Sequence, residues 1–248
     1  MQLEELCDFC DEYLKTGEFN DYCPNGLQVE ANPRVEHIVC GVTASQALIE
    51  AAIEQGADTI LVHHGYFWKG EAQPITGVKG RRIASLLRNN INLLAFHLPL
   101  DAHPEVGNNV QLAERMGWQI EFSCGEQDLV LIGRAAQPQS LRELTADVET
   151  RLDTRALAID GGGHDVSRLA WCTGAAQGYI EAAAGQGVDA FISGEVSEPT
   201  YHLARELGIH YIAAGHHATE RYGIQALAAE ISRRFGIRQQ FIDIPNPV

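Results

Sequence analysis

The chain has 248 residues, 45% hydrophobic and 21% charged, with a formal net charge of −15. That length buries a large core, as one big domain or two of ordinary size. The acidic balance speaks against a surface built to neutralise a phosphate backbone, although a small nucleotide needs only a local positive site, which bound divalent cations supply.

The start, Met1-Gln2-Leu3-Glu4-Glu5, lacks the basic residues and apolar core of a signal peptide. No run approaches the ~20 apolar residues that span a bilayer, so a cytoplasmic location and no membrane partner are expected. Leu3, Leu6, Cys7, Cys10 and Leu14 form an apolar stripe at helical spacing, and the CxxC within it reads as core. No second CxxC completes a zinc site, and Cys23, Cys40, Cys124 and Cys172 read as small hydrophobes. A strand at 38–42, a helix at 45–55 and a strand at 59–63 follow, the last closing on His63-His64 with Gly65 immediately after. A helix near 80–89 begins with a solvated basic run, Lys79-Gly80-Arg81-Arg82, and leads to a strand at 91–96 and then to His97-x-x-x-Asp101. A strand at 129–133 precedes a helix at 140–151, with Ser140 as N-cap and Glu143 completing a capping box. Asp160-Gly161-Gly162-Gly163-His164-Asp165 lacks the spacing of either phosphate-binding glycine motif and reads as a solvent loop. Strand 169–172, helix 177–186, strand 189–193, helix 198–207 and strand 209–214 complete the pattern, followed by His216, His217 and Glu220.

The second half repeats the first. Sliding residue 46 onto residue 177 matches Gln46, Ile49, Glu50, Ala51, Ala52, Gln55, Gly56 and Asp58 to Gln177, Ile180, Glu181, Ala182, Ala183, Gln186, Gly187 and Asp189. These are eight identities in thirteen positions, where unrelated segments give about one. Gly56 and Gly187 fall where a helix C-cap needs the left-handed conformation. Alternating strands and helices imply largely parallel α/β sheets, with ligands beyond the carboxyl ends of the strands. Two α/β domains, 1–124 and 125–248, are expected from the duplication, with a cleft between them.

Two adjacent imidazoles at the mouth of a buried strand each need a partner once they leave water, and metal coordination is one solution. In a regular strand His63 and His64 point to opposite sides, so joint binding requires a backbone turn at Gly65 or two metals. His97-x-x-x-Asp101 and His216-x-x-x-Glu220 suit strand-to-helix turns in which residues i and i+4 converge. His37, His103, His202 and His210 read as core or surface residues. Imidazole with carboxylate suits zinc, manganese, iron or nickel, and five or more ligands exceed one tetrahedral ion, so two bridged divalent ions are expected.

Several stretches together carry a resemblance: Pro24-Asn25-Gly26-Leu27-Gln28-Val29, Gly41-Val42-Thr43, His63-His64-Gly65, His97-x-x-x-Asp101-x-x-x-x-x-Gly107-Asn108-Asn109 and Gly215-His216-His217-x-Thr219-Glu220. Nearly the whole chain resembles the short bacterial form of the Nif-three-like family, whose members are often labelled GTP cyclohydrolase I type two homologues. The resemblance implies two similar, intertwined three-layer α/β/α domains with a dinuclear metal centre in the cleft between them, assembled as a toroidal homohexamer. By motif, it implies His63, His64, Asp101, His216 and Glu220 as metal ligands, with His97 nearby, either touching the metal or supporting a ligand, and His217 a weaker candidate. The expected function is metal-dependent hydrolysis of a small, purine-nucleotide-like substrate such as GTP. His97 is the candidate proton carrier. Glu195, which the repeat sets opposite His64, is a second catalytic candidate or else a helix-capping or interface carboxylate. The alternative is a non-enzymatic, ring-shaped metal-binding protein that serves as an interaction or regulatory platform.

Overall fold

The computed structural model describes residues 1–248. From the N-terminus the chain forms α1 (Leu3–Leu14), β1 (Gly26–Val29), β2 (His37–Thr43), α2 (Gln46–Glu54), β3 (Thr59–His64), α3 (Gly77–Arg88) and β4 (Asn92–Ala95). Then come α4 (Leu98–Ala102), α5 (Asn108–Met116), β5 (Gln119–Cys124), β6 (Val130–Gln139), α6 (Leu141–Leu152), β7 (Leu157–Ile159) and β8 (Val166–Cys172). The rest is α7 (Ile180–Ala184), β9 (Ala190–Ser193), α8 (Glu198–Leu207), β10 (His210–Ala213), α9 (His216–Thr219), α10 (Arg221–Phe235) and β11 (Arg238–Phe241). The protein is α/β with two mixed sheets, ordered β1-β4-β3-β2-β11 and β5-β6-β8-β9-β10-β7.

Each sheet keeps the expected parallel centre, with β2, β3 and β4 running together in one and β8, β9 and β10 in the other. Their residues are buried almost without interruption, the pattern of strands covered on both faces. The edges depart from the largely parallel expectation. β1 lies antiparallel to β4, β7 to β10, and the β5–β6 hairpin continues antiparallel onto β8. A link as short as 125–129 permits only antiparallel pairing, because a parallel return needs a crossover of a dozen or more residues.

The chain divides into two compact units, Met1–Leu100 with Gly223–Pro245, and Asp101–Tyr222 with Asn246–Val248. A single cut after residue 124 does not describe this division. Residues 101–124 add α5 and β5 to the second unit's sheet and core, and β11 returns to pair in parallel with β2 of the first. Each unit has its own core. Val39, Leu48, Ile49, Ile60, Val62, Leu86 and Leu93 cluster in the first, and Leu144, Val148, Leu169, Trp171, Ile192 and Ile212 in the second.

The matched residues of the repeat perform matching tasks. Asp58 Oδ2 accepts hydrogen bonds from the backbone N–H groups of Glu36 and His37 at 2.8 and 3.0 Å. Asp189 Oδ2 accepts from Ser167 and Arg168 at 2.9 and 2.8 Å, the same positions one repeat on. Gly56 and Gly187 both have left-handed φ, 65° and 68°. The helices differ: α2 is a full helix, whereas its counterpart opens as a 3-10 turn at Gln177–Tyr179 and then makes only α7. Ser45 caps α2 by accepting from Leu48 N, but Ala176 stands at that place in the second copy. Gly178 and Gly185 replace Ala47 and Glu54, and glycine inside a helix costs about 1 kcal/mol relative to alanine.

Two loose ends of the sequence are resolved by packing. Cys10 is fully buried in α1 and Cys7 half-buried; burial, then Asp11 and other carboxylates, pushes the Cys7 thiol up to about 11, so neither is poised as a thiolate. The glycine triplet is a largely exposed loop, as expected, anchored to the protein at Gly161. Asp160 Oδ1 accepts from Gly162 and Gly163 N–H, and Gly161 N–H donates to His210 Nδ1 at 3.1 Å. A Cβ on Gly161 would lie 2.2 Å from the Ile209 carbonyl oxygen, so the turn needs glycine to pass β10. No helix is long and apolar enough to cross a membrane.

Candidate metal centre

In the first unit the site is built where β3 and β4 end. Strand alternation would separate His63 from His64, yet their ring centroids are 4.5 Å apart. The chain turns at Gly65, where a Cβ would lie 2.2 Å from Gln28 Oε1 and 2.6 Å from Ala95 Cβ. Gln28 Oε1 also accepts from Tyr66 N–H at 2.7 Å, which fixes the turn. His97, just past β4, brings a third ring to 5.1 Å from His63 and 5.8 Å from His64. The three rings offer ligand atoms that all lie within 4.8 Å of one another. His63 is fully buried and its Nδ1 is 2.8 Å from the Phe96 carbonyl oxygen. That oxygen only accepts, so Nδ1 carries the hydrogen and Nε2 the lone pair of the neutral ring. His64 Nδ1 is 3.2 Å from the Thr43 hydroxyl.

His97 takes its carboxylate from Asp21, a residue that the sequence pattern did not single out. His97 Nδ1 donates to Asp21 Oδ1 at 2.7 Å, and Asp21 Oδ2 accepts from Asn25 Nδ2 at 2.8 Å and Leu98 N–H at 3.0 Å. Burial pushes the Asp21 carboxyl up, but the His97 hydrogen bond and charge, with Asn25 and Tyr22 N–H, outweigh it and hold it below its ordinary range. Asp21, Cys23 and His97 form a second close trio, in which His97 Nδ1 is already engaged by Asp21.

In the second unit His216 and Glu220 converge across the single turn of α9 as the i, i+4 spacing predicts, with Nε2 3.0 Å from Glu220 Oε2. Glu195 has a task that the sequence did not reveal: its Oε1 accepts from His216 Nδ1 at 2.7 Å. Burial works against the His216 imidazolium, but Glu220 and then Glu195 outweigh it and raise the ring from 6.5 to about 9. A folded-state value above the unfolded one stabilises the metal-free protein fully below about pH 6.5, and that contribution disappears as pH rises through about 9. We expect Glu195→Gln to lower the His216 midpoint in a nuclear magnetic resonance titration of metal-free protein. An unchanged midpoint would remove Glu195 from this role.

Asp101, buried in α4, accepts at Oδ1 from Asn108 Nδ2 at 2.9 Å and from the Thr173 hydroxyl at 3.2 Å. Asn109 Oδ1 accepts from Thr173 N–H, and the Thr219 hydroxyl accepts from Gly174 N–H. The turn after β8 is thereby held against the start of α5 and the end of α9. Gly174, at φ 67°, leaves the space that Glu220 fills: a Cβ there would lie 2.1 Å from Glu220 Oε1 and 3.2 Å from His216 Nε2. His217 is buried, and its backbone N–H donates to the Val248 carbonyl. An open groove of about 870 Å³ between α2 and α3 contains none of these residues, so concavity alone does not find them.

The clustered imidazoles of the first unit, and separately the imidazole–carboxylate pair of the second, are donors of the kind that suits first-row transition metals. The cradle at Gly174 and the engaged Nδ1 atoms fit such an ion as well.

A model of the Duf34/NIF3 (NGG1p interacting factor 3) family matches residues 1–247. A Pseudomonas aeruginosa protein called GTP cyclohydrolase 1 type 2 homolog is 54% identical, covering 99% of this chain and 98% of its own. Among solved structures, protein ybgI, described as of unknown function, is 51% identical with a TM-score of 0.97 over 100% of both chains. TTHA1606 from Thermus thermophilus is 35% identical with a TM-score of 0.91, again over 100% of both.

Proposed function

Because the chain belongs to the Duf34/NIF3 family, we propose that it is a dinuclear metal-dependent hydrolase acting on a small, purine-nucleotide-like substrate. The observation that carries this reading is how the imidazoles are held. His63, His64 and His216, the three imidazole ligands of this reading, each have Nδ1 engaged, by Phe96 O, Thr43 Oγ1 and Glu195 respectively. Metal-ligating histidines are oriented in this way, the second ring nitrogen donating to a carboxylate, backbone carbonyl or water, and the Thr43 hydroxyl is an oxygen acceptor of the same kind for His64. His103 and His210 also have Nδ1 engaged, but as an acceptor from backbone N–H groups, which puts the hydrogen of the neutral ring on Nε2 and leaves no lone pair there for an ion.

In this reading His63, His64, Asp101, His216 and Glu220 hold two divalent ions of the zinc, manganese, iron or nickel type. When bound, these ions would supply Lewis acidity and activate water. Glu195 is a positioning residue that sets the ring angle and tautomer of His216. His97, backed by Asp21, is the proton carrier: with Nδ1–H held by the carboxylate, its Nε2 accepts a proton and returns it. Thr173 and Asn108 donate to Asp101 Oδ1 and fix the direction of its carboxylate. The name of the relatives, GTP cyclohydrolase 1 type 2 homolog, favours GTP, and the reaction we propose for it is hydrolytic opening of the guanine imidazole ring. Assembly as a homohexameric ring belongs to the same reading, and the acidic surface argues against a nucleic-acid partner.

Metal analysis of the as-purified and fully loaded protein, followed by an ultraviolet-absorbance screen of GTP and related nucleotides, tests the proposal. We expect two ions per chain and turnover in the wild type, with metal and activity lost together in His64→Ala. One ion or none after full loading would overturn the dinuclear reading. Absence of turnover with every metal tried, or activity retained in His64→Ala, would overturn the hydrolase.

A further inference from the structure

The turn after β3 holds an arrangement that the metal-binding groups do not explain. Phe67 has φ 65°, a left-handed conformation that is a genuine outlier for a bulky side chain and has to be maintained by its surroundings. Those surroundings are specific. Glu71 Oε2 accepts from the backbone N–H groups of Phe67 and Trp68 at 3.0 and 3.3 Å, and Lys79 Nζ lies 3.5 Å from the same oxygen. Lys79 also stands 5.6 Å over the Phe67 ring and donates to Ala72 O. The strained residue lets two consecutive aromatic side chains diverge. Phe67 packs against the core of its unit, while Trp68 meets the imidazoles. Its ring centroid is 5.0 Å from His97 at 85° and 5.9 Å from His64 at 56°.

Tyr22 approaches His97 as well, at 6.4 Å and 64°, and is 58% exposed. Lys69 N–H donates to Tyr22 O at 2.6 Å, which ties the segment bearing Tyr22 to the turn bearing Trp68. Trp68 donates its indole N–H to Gly65 O at 3.2 Å, so its polar atom is satisfied within the turn and the ring offers an apolar surface. A partly exposed tryptophan and a largely exposed tyrosine flanking a histidine, on a turn kept in a costly conformation, are the parts of a stacking surface. They are an inefficient way to fill a core.

We propose that Trp68, with Tyr22 at its rim, is a platform on which the planar heteroaromatic ring of the substrate stacks beside His97. The inference rests on the reading of a nucleotide-like substrate and names the part of that substrate this surface recognises. Aromatic stacking tolerates any flat base, so the platform selects for a planar ring and leaves the choice among purines to other groups.

Binding of GTP, guanosine and base-free ribose 5-triphosphate to the full-length, metal-loaded protein, followed by calorimetry, tests it. Trp68→Ala is expected to weaken guanosine and GTP about 5- to 100-fold, the worth of one base stacked on an aromatic side chain. Trp68→Phe, which keeps a ring, should recover most of that loss, and ribose 5-triphosphate should bind both variants as it binds wild type. Trp118 and Trp171 are buried, so guanosine should quench wild-type fluorescence and leave Trp68→Phe almost unchanged. Wild-type affinity in Trp68→Ala, equal losses in the two variants, weakened ribose 5-triphosphate, or no binding of guanosine or GTP to wild type would each overturn the platform. No step of this test requires turnover. A protein that hydrolyses nothing but shows the alanine–phenylalanine pattern keeps the platform and loses the hydrolase.

Discussion

Gly174→Ala is expected to lose bound metal while keeping its fold. The new methyl would stand 2.1 Å from Glu220 Oε1, 3.1 Å from its Cδ and 3.2 Å from His216 Nε2. Glu220 is 2% exposed, so its carboxylate has no solvent to swing into and has to leave the place where it meets His216. The backbone cost is separable from this clash. An alanine in the left-handed region costs about 1–2 kcal/mol wherever it occurs. Gly56 has nearly the same φ, 65°, and a methyl placed there would meet nothing within 4 Å, so Gly56→Ala carries the conformational cost alone. Both variants should therefore melt a few degrees below wild type. Only Gly174→Ala should weaken metal binding, and by at least about 100-fold, since disturbing a partner of a ligand already costs 10- to 100-fold. Calorimetric metal titration beside thermal melts measures both terms. Wild-type metal affinity in Gly174→Ala would mean that Glu220 is no ligand.

Gly174 also shows how the two copies of the repeat diverged. Its counterpart at the same strand end is Thr43, whose hydroxyl reaches His64 Nδ1. In one copy the position supplies a hydrogen-bonding group, and in the other it supplies empty volume. His64 and Glu195 are likewise counterparts, one a ring held at Nδ1 and the other a carboxylate that holds such a ring. The duplication thus repeats the framework, seen in the paired tasks of Asp58 and Asp189, and varies the side chains at the strand ends.

What was legible in the sequence follows from this. The parallel strands could be read because their apolar runs are local and their glycine caps recur at fixed offsets. His216 and Glu220 could be paired because four residues make one helical turn. Asp21 could not be paired with His97, since 76 residues separate them and only the folded sheet brings them to 2.7 Å. Thr173 with Asp101, 72 residues apart, is the same case. The antiparallel edges β1 and β7 escaped notice because strands of four and three residues are too short for alternation to register. The shortening of α7 was visible in principle, as Ala176, Gly178 and Gly185 replace a cap and two helix-forming residues.

The second large effect is expected at Asp21. In wild type its carboxylate holds the hydrogen of His97 on Nδ1, leaving Nε2 able to accept a proton. Asp21→Asn preserves shape, but the amide has one accepting end where the carboxylate has two. Asp21 Oδ1 faces His97 and the Tyr22 N–H, while Oδ2 faces Asn25 and Leu98, all of them donors. Whichever way the amide turns, its NH₂ group meets donors. If it faces His97, the ring accepts at Nδ1 and moves its hydrogen to Nε2, the wrong tautomer for a base. Such a tautomer switch with geometry kept is worth up to about 10⁴-fold in a serine protease, and general acid–base catalysis is worth about 10²–10⁴-fold. We therefore expect kcat to fall by about 10²- to 10⁴-fold in Asp21→Asn and in His97→Gln, with KM for the nucleotide changed far less. On the proposed ligand set of His63, His64, Asp101, His216 and Glu220, none of which is altered, both variants should load as much metal as wild type. Combining the two substitutions should add little to either alone, since each disables the same proton carrier. If both variants lose metal in step with activity, His97 is a ligand rather than the proton carrier. If neither changes turnover, the Asp21–His97 pair orients structure only, and proton transfer belongs to another group.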